Sequence, residues 1–258
     1  MERKGAINLK IVKCVSNIEE FSPMEFQNLN IGVEIQDFVK PNISDDEIKH
    51  LVIEYKKLLL DFPYTKSLHG PFLDLKPVSP DKDIRRVSYE KYFKTLKIAT
   101  ELDMDYVIFH SQINPWLKEP NIRFLNNKGN RDFWHSILKE IKEFKGQILL
   151  ENIFEDNPLI LKELIETIDL PNISICLDIG HAKLQTNEPL EKWVKELSEY
   201  IDYIHLHWNE GLYDEHNIPE DEDIKYIREL LLKYNLNPIV ALEYRVNDLK
   251  REIQRINY

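Results

Sequence analysis

Nine histidines and carboxylates stand at or just past the ends of short apolar runs. In chain order they are His69 in TKSLHGPF, His110 in YVIFHSQ, Glu151 in QILLENI, Asp178 and His181 in ISICLDIGH, His205 in YIHLHWNE, Asp214 and His216 in the following YDEH, and Glu243 in IVALEY. Imidazole suits zinc, manganese or iron, and carboxylates bridge two ions or carry protons. Glu151, Asp178, His205 and Glu243 can wrap one ion between them. His69 and His110 fall on the side of Glu151, so a bridging Glu151 would serve a second ion. His181 with the Asp-x-His pair Asp214 and His216 makes a third set. The cofactor this pattern calls for is a divalent metal, one to three ions of zinc, manganese or cobalt.

Such residues need elements that bring them to one place. Eight apolar runs read as buried strands: INLKIVKCV, IGVEIQDF, TKSLHGPF, DYVIFHSQ, QILLENI, ISICLDIG, DYIHLHW and PIVALEY. Helical stretches lie between most of them, with apolar residues three and four apart, as a helix packed by one face requires. Ser44, ahead of two acids, and Ser88, ahead of Glu90, read as helix starts. FSPMEFQNLN is the weakest helix, being short and carrying a proline. The alternation predicts an α/β fold, a single (β/α)8 TIM barrel spanning residues 1–258. An open doubly wound sheet is the competitor, but no Gly-rich phosphate loop follows the first strand. The spacing of 41 residues from His69 to His110, and again to Glu151, is explained by neighbouring strands whose ends share one mouth.

Composition narrows the function. A 258-residue chain with 43% hydrophobic and 31% charged residues is ordinary for a globular protein. Its apolar stretches fall short of a bilayer span, and MERKGAINLK lacks the apolar core of a signal peptide, so a cytoplasmic protein without membrane attachment is expected. Cys14 and Cys176 are too few for a disulfide framework. A net charge of −11 argues against nucleic acid as a partner, since that binding depends on Lys and Arg at phosphates.

The motifs HGP, IFH, LEN, CLDIGH, HLH, DEH and LEY resemble, in order and over nearly the whole chain, those of the xylose isomerase-like barrel superfamily, which includes endonuclease IV, hexulose epimerases and inosose isomerases. By that resemblance Glu151, Asp178, His205 and Glu243 correspond to the single-metal site of the isomerases and epimerases. The wider set with His69, His110, His181, Asp214 and His216 looks like the three-zinc constellation of endonuclease IV. There are departures. Trp208 stands where relatives often have Asp, and Pro219-Glu220-Asp221-Glu222 replaces a Gly-x-Gly turn. The arginine that hexulose epimerases place shortly after the seventh-strand His is missing. Residues 209–223 hold seven acids and no Lys or Arg, a poor surface for a DNA backbone.

Other residues carry weaker signals. His207 shares a face with His205 and is read as a substrate contact or a support. Trp116, Lys118 and Arg123, in the segment after the fourth strand, could cover an anionic substrate, against the plainer reading of a solvated loop. Lys82, Arg85 and Arg86 read as a helix start facing water, His50 and His135 as surface residues, and Cys176 as packing. The expected function is metal-dependent isomerisation or epimerisation of a sugar, sugar phosphate or polyol derivative. In it Glu151 and Glu243 would exchange the proton and His181 would orient the substrate. The alternative is multi-zinc phosphoester hydrolysis of abasic DNA or another phosphodiester, which would use all nine residues. A barrel that only binds a metal–sugar complex ranks last. The sequence leaves the oligomeric state open.

Overall fold

A computed structural model describes residues 8–114, 118–184, 186 and 188–257. Eight parallel strands close a barrel in chain order: β1 Lys10–Val15, β2 Gly32–Ile35, β3 Lys66–His69, β4 Tyr106–His110, β5 Gln147–Glu151, β6 Ile173–Asp178, β7 Ile201–Leu206 and β8 Ile239–Leu242. Around it run α1 Pro23–Leu29, α2 Asp45–Leu58, α3 Lys82–Glu101, α4 Pro120–Glu140, α5 Pro158–Ile168, α6 Leu190–Leu197, α7 Asp221–Lys233 and α8 Leu249–Asn257. Closure pairs β1 with β8, joining the first strand to the last as an open sheet would not.

A barrel strand is buried on both faces, which explains why the runs are continuously apolar. Outward residues pack under the helices. Inward ones, Val12, Cys14, Ile108, Leu149, Cys176, Tyr203, Ile239 and Ala241, fill the lumen as a separate cluster. Fully burying one such aliphatic side chain stabilises the fold by about 1.5–3 kcal/mol. This plug forms the floor beneath the strand ends. Burial pushes both thiols, Cys14 and Cys176, above their ordinary range, so they pack as neutral groups.

Helix starts follow local chemistry. Ser44 caps α2 through a full capping box with Glu47. Ser88 does not start a helix. Asp81 caps α3 instead, at the amides of Asp83 and Ile84, and Ser88 lies inside the helix, donating to the Ile84 carbonyl and accepting from the Lys76 amide. α4 begins with Glu119 as cap and Pro120 at its first position. Among the described residues, no helix is long and apolar enough to cross a membrane.

Candidate metal centre

Register brings the strand-end residues together. His110 pairs with Glu151 across β4 and β5, and Asp178 with His205 across β6 and β7. Glu151 is their hub. Its Oε2 lies 3.1 Å from His69 Nε2 and 3.6 Å from His110 Nε2, while its Oε1 lies 3.2 Å from His181 Nδ1 and 3.4 Å from His205 Nδ1. One carboxylate thus faces two groups of imidazoles. Glu243, just past β8, sets Oε2 3.3 Å from His205 Nδ1, and Asp178 Oδ2 lies 3.7 Å from that nitrogen.

His205 Nδ1 is a buried nitrogen with no hydrogen-bond partner among the described residues, encircled by Glu151, Asp178 and Glu243. One imidazole nitrogen and three carboxylates form a hard, anionic donor set that fits a divalent cation. These four residues would hold the ion. His69, His110 and the far oxygen of Glu151 would hold a second.

Three other histidines are oriented by backbone carbonyls. The Nδ1 atoms of His69, His181 and His216 lie 2.8, 2.9 and 2.8 Å from the carbonyls of Gly70, Asn152 and Glu243. Each then turns Nε2 toward a carboxylate: Glu151 for His69, and Asp214 for the other two. Asp214 Oδ2 is 3.2 Å from both His181 Nε2 and His216 Nε2. The loop-borne pair therefore does converge with His181. His110 instead stacks on Phe72, with ring centroids 4.3 Å apart.

Electrostatics follow from this crowding. Burial pushes the imidazoles of His181 and His205 down, but surrounding carboxylates outweigh it and hold both well above the ordinary value. For His216 burial is likewise outweighed, by Asp214 and Glu243, and the value rises to about 9. His110 goes the other way, to about 3, because burial dominates and its histidine neighbours add to the effect. Burial would raise Glu151 and Asp178, yet their histidine partners pull both below the ordinary carboxylate range.

The loop carrying Asp214 and His216 is tied down. Trp208 and Asn217 exchange backbone hydrogen bonds of 2.8 Å in both directions, and Asn209 Nδ2 donates to the Gly180 carbonyl at 2.9 Å. Lys183 Nζ sits 3.1 Å above the Trp208 ring, a cation–π contact. Trp208 thus anchors the loop through its backbone and ring. His216 takes a left-handed backbone, φ 47°, which histidine adopts more readily than most residues.

Several expected contacts fall elsewhere. His207 is fully buried and does not reach open space; its Nε2 lies 3.0 and 3.1 Å from the two Asp178 oxygens, and its ring stacks on His216 at 4.0 Å. It supports the centre, and it fits only because residue 180 is glycine: a Cβ there would meet the His207 ring at 1.9 Å. Arg123 lies away from the mouth, paired with Glu163 at 2.8 Å in a recess between α4 and α5. Lys118 does line the mouth cavity, of about 680 Å3, but pairs with Asp156 at 3.0 Å. Trp116 lies outside the described residues. The cavity reaches the centre at His181 and Asp214, and Ile113, Ile153, Phe154 and Leu212 give it an apolar wall.

Two residues escape a reading of the sequence. Glu34, at the lumen end of β2, is fully buried with Oε2 3.0 Å from His205 Nε2 and 2.9 Å from the Tyr203 hydroxyl. Gln36 donates to Glu243 Oε1 at 2.8 Å and to Glu34 Oε1 at 3.3 Å. An acid inside a run as apolar as IGVEI is the available signal, since a buried carboxylate requires partners.

The barrel and its ring of strand-end ligands define the class. The chain belongs to the xylose isomerase-like TIM barrel family, whose profile matches residues 30–257. An uncharacterised protein of Methanocaldococcus jannaschii is 29% identical over 187 residues, 68% of this chain and 63% of that one. A probable endonuclease 4 of Aquifex aeolicus is 25% identical over 171 residues, 61% of this chain and 57% of its own. The chain thus matches roughly three-fifths of the length of these curated relatives. Among solved structures, a Thermus thermophilus protein soaked with ZnCl2 superposes at TM-score 0.73 with 22% identity, covering 97% of this chain and 98% of that one. A D-tagatose 3-epimerase-like protein superposes at 0.70 with 24% identity, covering 96% and 95%.

Proposed function

We propose that this protein is a metal-dependent isomerase or epimerase acting on a sugar phosphate or related polyol derivative. The observation that carries the reading is the convergence of Glu151, Asp178 and Glu243 on the unpartnered Nδ1 of His205. A divalent ion, when bound, polarises a substrate carbonyl and offsets the charge of an enediolate. Glu243, whose side chain is 15% exposed, is the more accessible base for a proton on the substrate carbon. Glu151, held from both sides by imidazoles, relays a proton from the cationic His181 to the opposite face of the carbon, while the proton taken stays on Glu243 until solvent exchanges it. His181, at the edge of the mouth cavity, orients a substrate hydroxyl. The apolar wall with Phe154 suits a sugar's C–H face and limits water at the reacting carbons.

A second recess supports the phosphorylated class. It measures about 880 Å3, shares Lys76, Gln112 and Asn114 with the mouth cavity, and carries Lys82, Arg85 and Arg86 with no carboxylate among its described lining residues. Arg86 pairs with Glu90 at 2.9 Å, outside that lining, and Arg85 donates to the Ser79 and Pro80 carbonyls at its rim. Lys82 and Arg85 form no ion pair among the described residues, so they suit a phosphate better than the paired Lys118 and Arg123 do.

Phosphoester hydrolysis is the second reading, favoured by the His181, Asp214 and His216 set and the similarity to a probable endonuclease 4. Seven acids in residues 209–223 weigh against a nucleic-acid substrate. The test is exchange of substrate carbon protons in D2O, followed by NMR, with metal-loaded protein and paired sugars with and without phosphate. Exchange on ketose or aldose phosphates supports the proposal. Cleavage of abasic DNA or a phosphodiester with no exchange on any sugar overturns it.

A further inference from the structure

We propose that Glu34 is a positioning residue that fixes the tautomer of His205, so that Nδ1 is the nitrogen presented to a divalent ion held with Glu151, Asp178 and Glu243. The inference concerns the metal centre itself and holds for either reaction.

His205 is the exception among the histidines of the ring. His69, His181 and His216 each set Nδ1 against a backbone carbonyl and present Nε2. His205 is reversed: its Nε2 faces Glu34 Oε2 at 3.0 Å, and its Nδ1 faces the three carboxylates. Among the described residues no backbone carbonyl contacts Nε2, so the proton on that nitrogen depends on Glu34. A carboxylate acceptor is the stronger orienting partner for a ligating imidazole, and it also makes the opposite nitrogen a better donor.

The surroundings hold Glu34 for this task. Both it and His205 are fully buried. Burying an unpaired carboxylate is costly, and every Glu34 contact offsets that cost in one direction. The Tyr203 hydroxyl donates to the same Oε2 at 2.9 Å and lies 3.1 Å from Ser67 Oγ. Gln36 Nε2 spans Glu34 Oε1 and Glu243 Oε1, leaving Glu243 Oε2 turned toward His205 Nδ1 at 3.3 Å. From one position on β2, Glu34 thus orients the ligand of β7 directly and that of β8 through Gln36.

Zinc affinity, measured by chelator competition, and 15N NMR of the zinc-loaded protein test this. Glu34→Gln is expected to weaken one ion by about 10–100-fold while leaving the remaining ions and the circular dichroism unchanged. Tyr203→Phe, which removes a donor to Glu34 but leaves the Glu34–His205 contact, is expected to weaken that ion clearly less than Glu34→Gln does. In the wild type, NMR should find the His205 proton on Nε2 and zinc on Nδ1, a readout that does not depend on any variant folding. Wild-type zinc affinity in Glu34→Gln, an equal loss in Tyr203→Phe, or a His205 proton on Nδ1 would each overturn the proposal. None of these measurements involves turnover, so failure of the isomerase reading leaves them interpretable.

Discussion

The ligand set has two differently built parts. Glu151, Asp178 and His205 stand on strands and are 1%, 0% and 0% exposed, with the fully buried Glu34 of β2 behind His205. Asp214 and His216 stand on a loop with side chains 38% exposed. Behind the first part lies the lumen plug of Tyr203, Cys14 and Cys176; beside the second lies solvent. Buried charges in a low dielectric interact more strongly and are screened less by salt than exposed ones. On the proposed function, the strand-built ring is a preorganised cation site and the loop pair an exchangeable extension of it. Fixed geometry suits a reaction that takes a proton at one carboxylate and delivers one at another; an open loop suits an ion that comes and goes.

Glu151→Gln attacks the strand-built part most directly and is expected to have the largest effect. It removes charge from the oxygen facing His69 and His110 and from the one facing His205, so more than one ion per chain should be lost on elemental analysis. Proton exchange should fall beyond the range of about 10²–10⁴-fold expected from losing an acid or base alone. Glu243→Gln, which touches one side only, should fall within that range and lose less metal. Full activity in either variant would contradict the two-carboxylate mechanism.

Asp214→Asn tests the loop-borne part. It should remove at most one ion and slow sugar proton exchange only severalfold, while abolishing any phosphodiester cleavage. Loss of exchange equal to that of Glu151→Gln would erase the distinction between the two parts.

The smallest expected effect is on the pH dependence of stability of the metal-free protein. His216 is raised to about 9 in the folded chain, above the ordinary histidine value of about 6.5 in the unfolded one. A raised value stabilises the fold fully below the unfolded value, and that contribution is lost as pH rises through the folded one. The melting temperature should therefore fall as pH rises from about 6.5 to just above 9, and His216→Gln should flatten the slope. An unchanged slope in that variant would remove His216 from the account. Asp214, held below its ordinary value by the same contact, contributes at neutral pH and loses that contribution only in acid.

The barrel is legible because every strand is buried on both faces and ends on or near a polar residue, so apolar runs such as YVIFH and QILLE announce both the element and its site residue. The strand-end ligand candidates can be read for the same reason, and Asp214 and His216 by their Asp-x-His spacing in the loop after β7. Glu34 cannot: a lone Glu between Val33 and Ile35 looks like surface alternation until β2 is known to face a lumen. His207 reads as a substrate contact or a support alike, because strand alternation gives its face but not its depth. The roles of Lys118 and Arg123 depend on Asp156 and Glu163, partners 38 and 40 residues away that only folding brings near. Ser88 misleads because a serine ahead of an acid fits a cap, and only the Asp81 side chain at the Asp83 amide fixes the true start.

The most direct test of the central claim is the metal content of the protein before and after brief dialysis against chelator. A preorganised ring with an exchangeable loop extension predicts stoichiometric divalent metal as purified, with at least one ion per chain surviving dialysis and only the Asp214-dependent fraction removed. Absence of stoichiometric metal, or complete removal in a single phase shared by the Asp214→Asn variant, would contradict it.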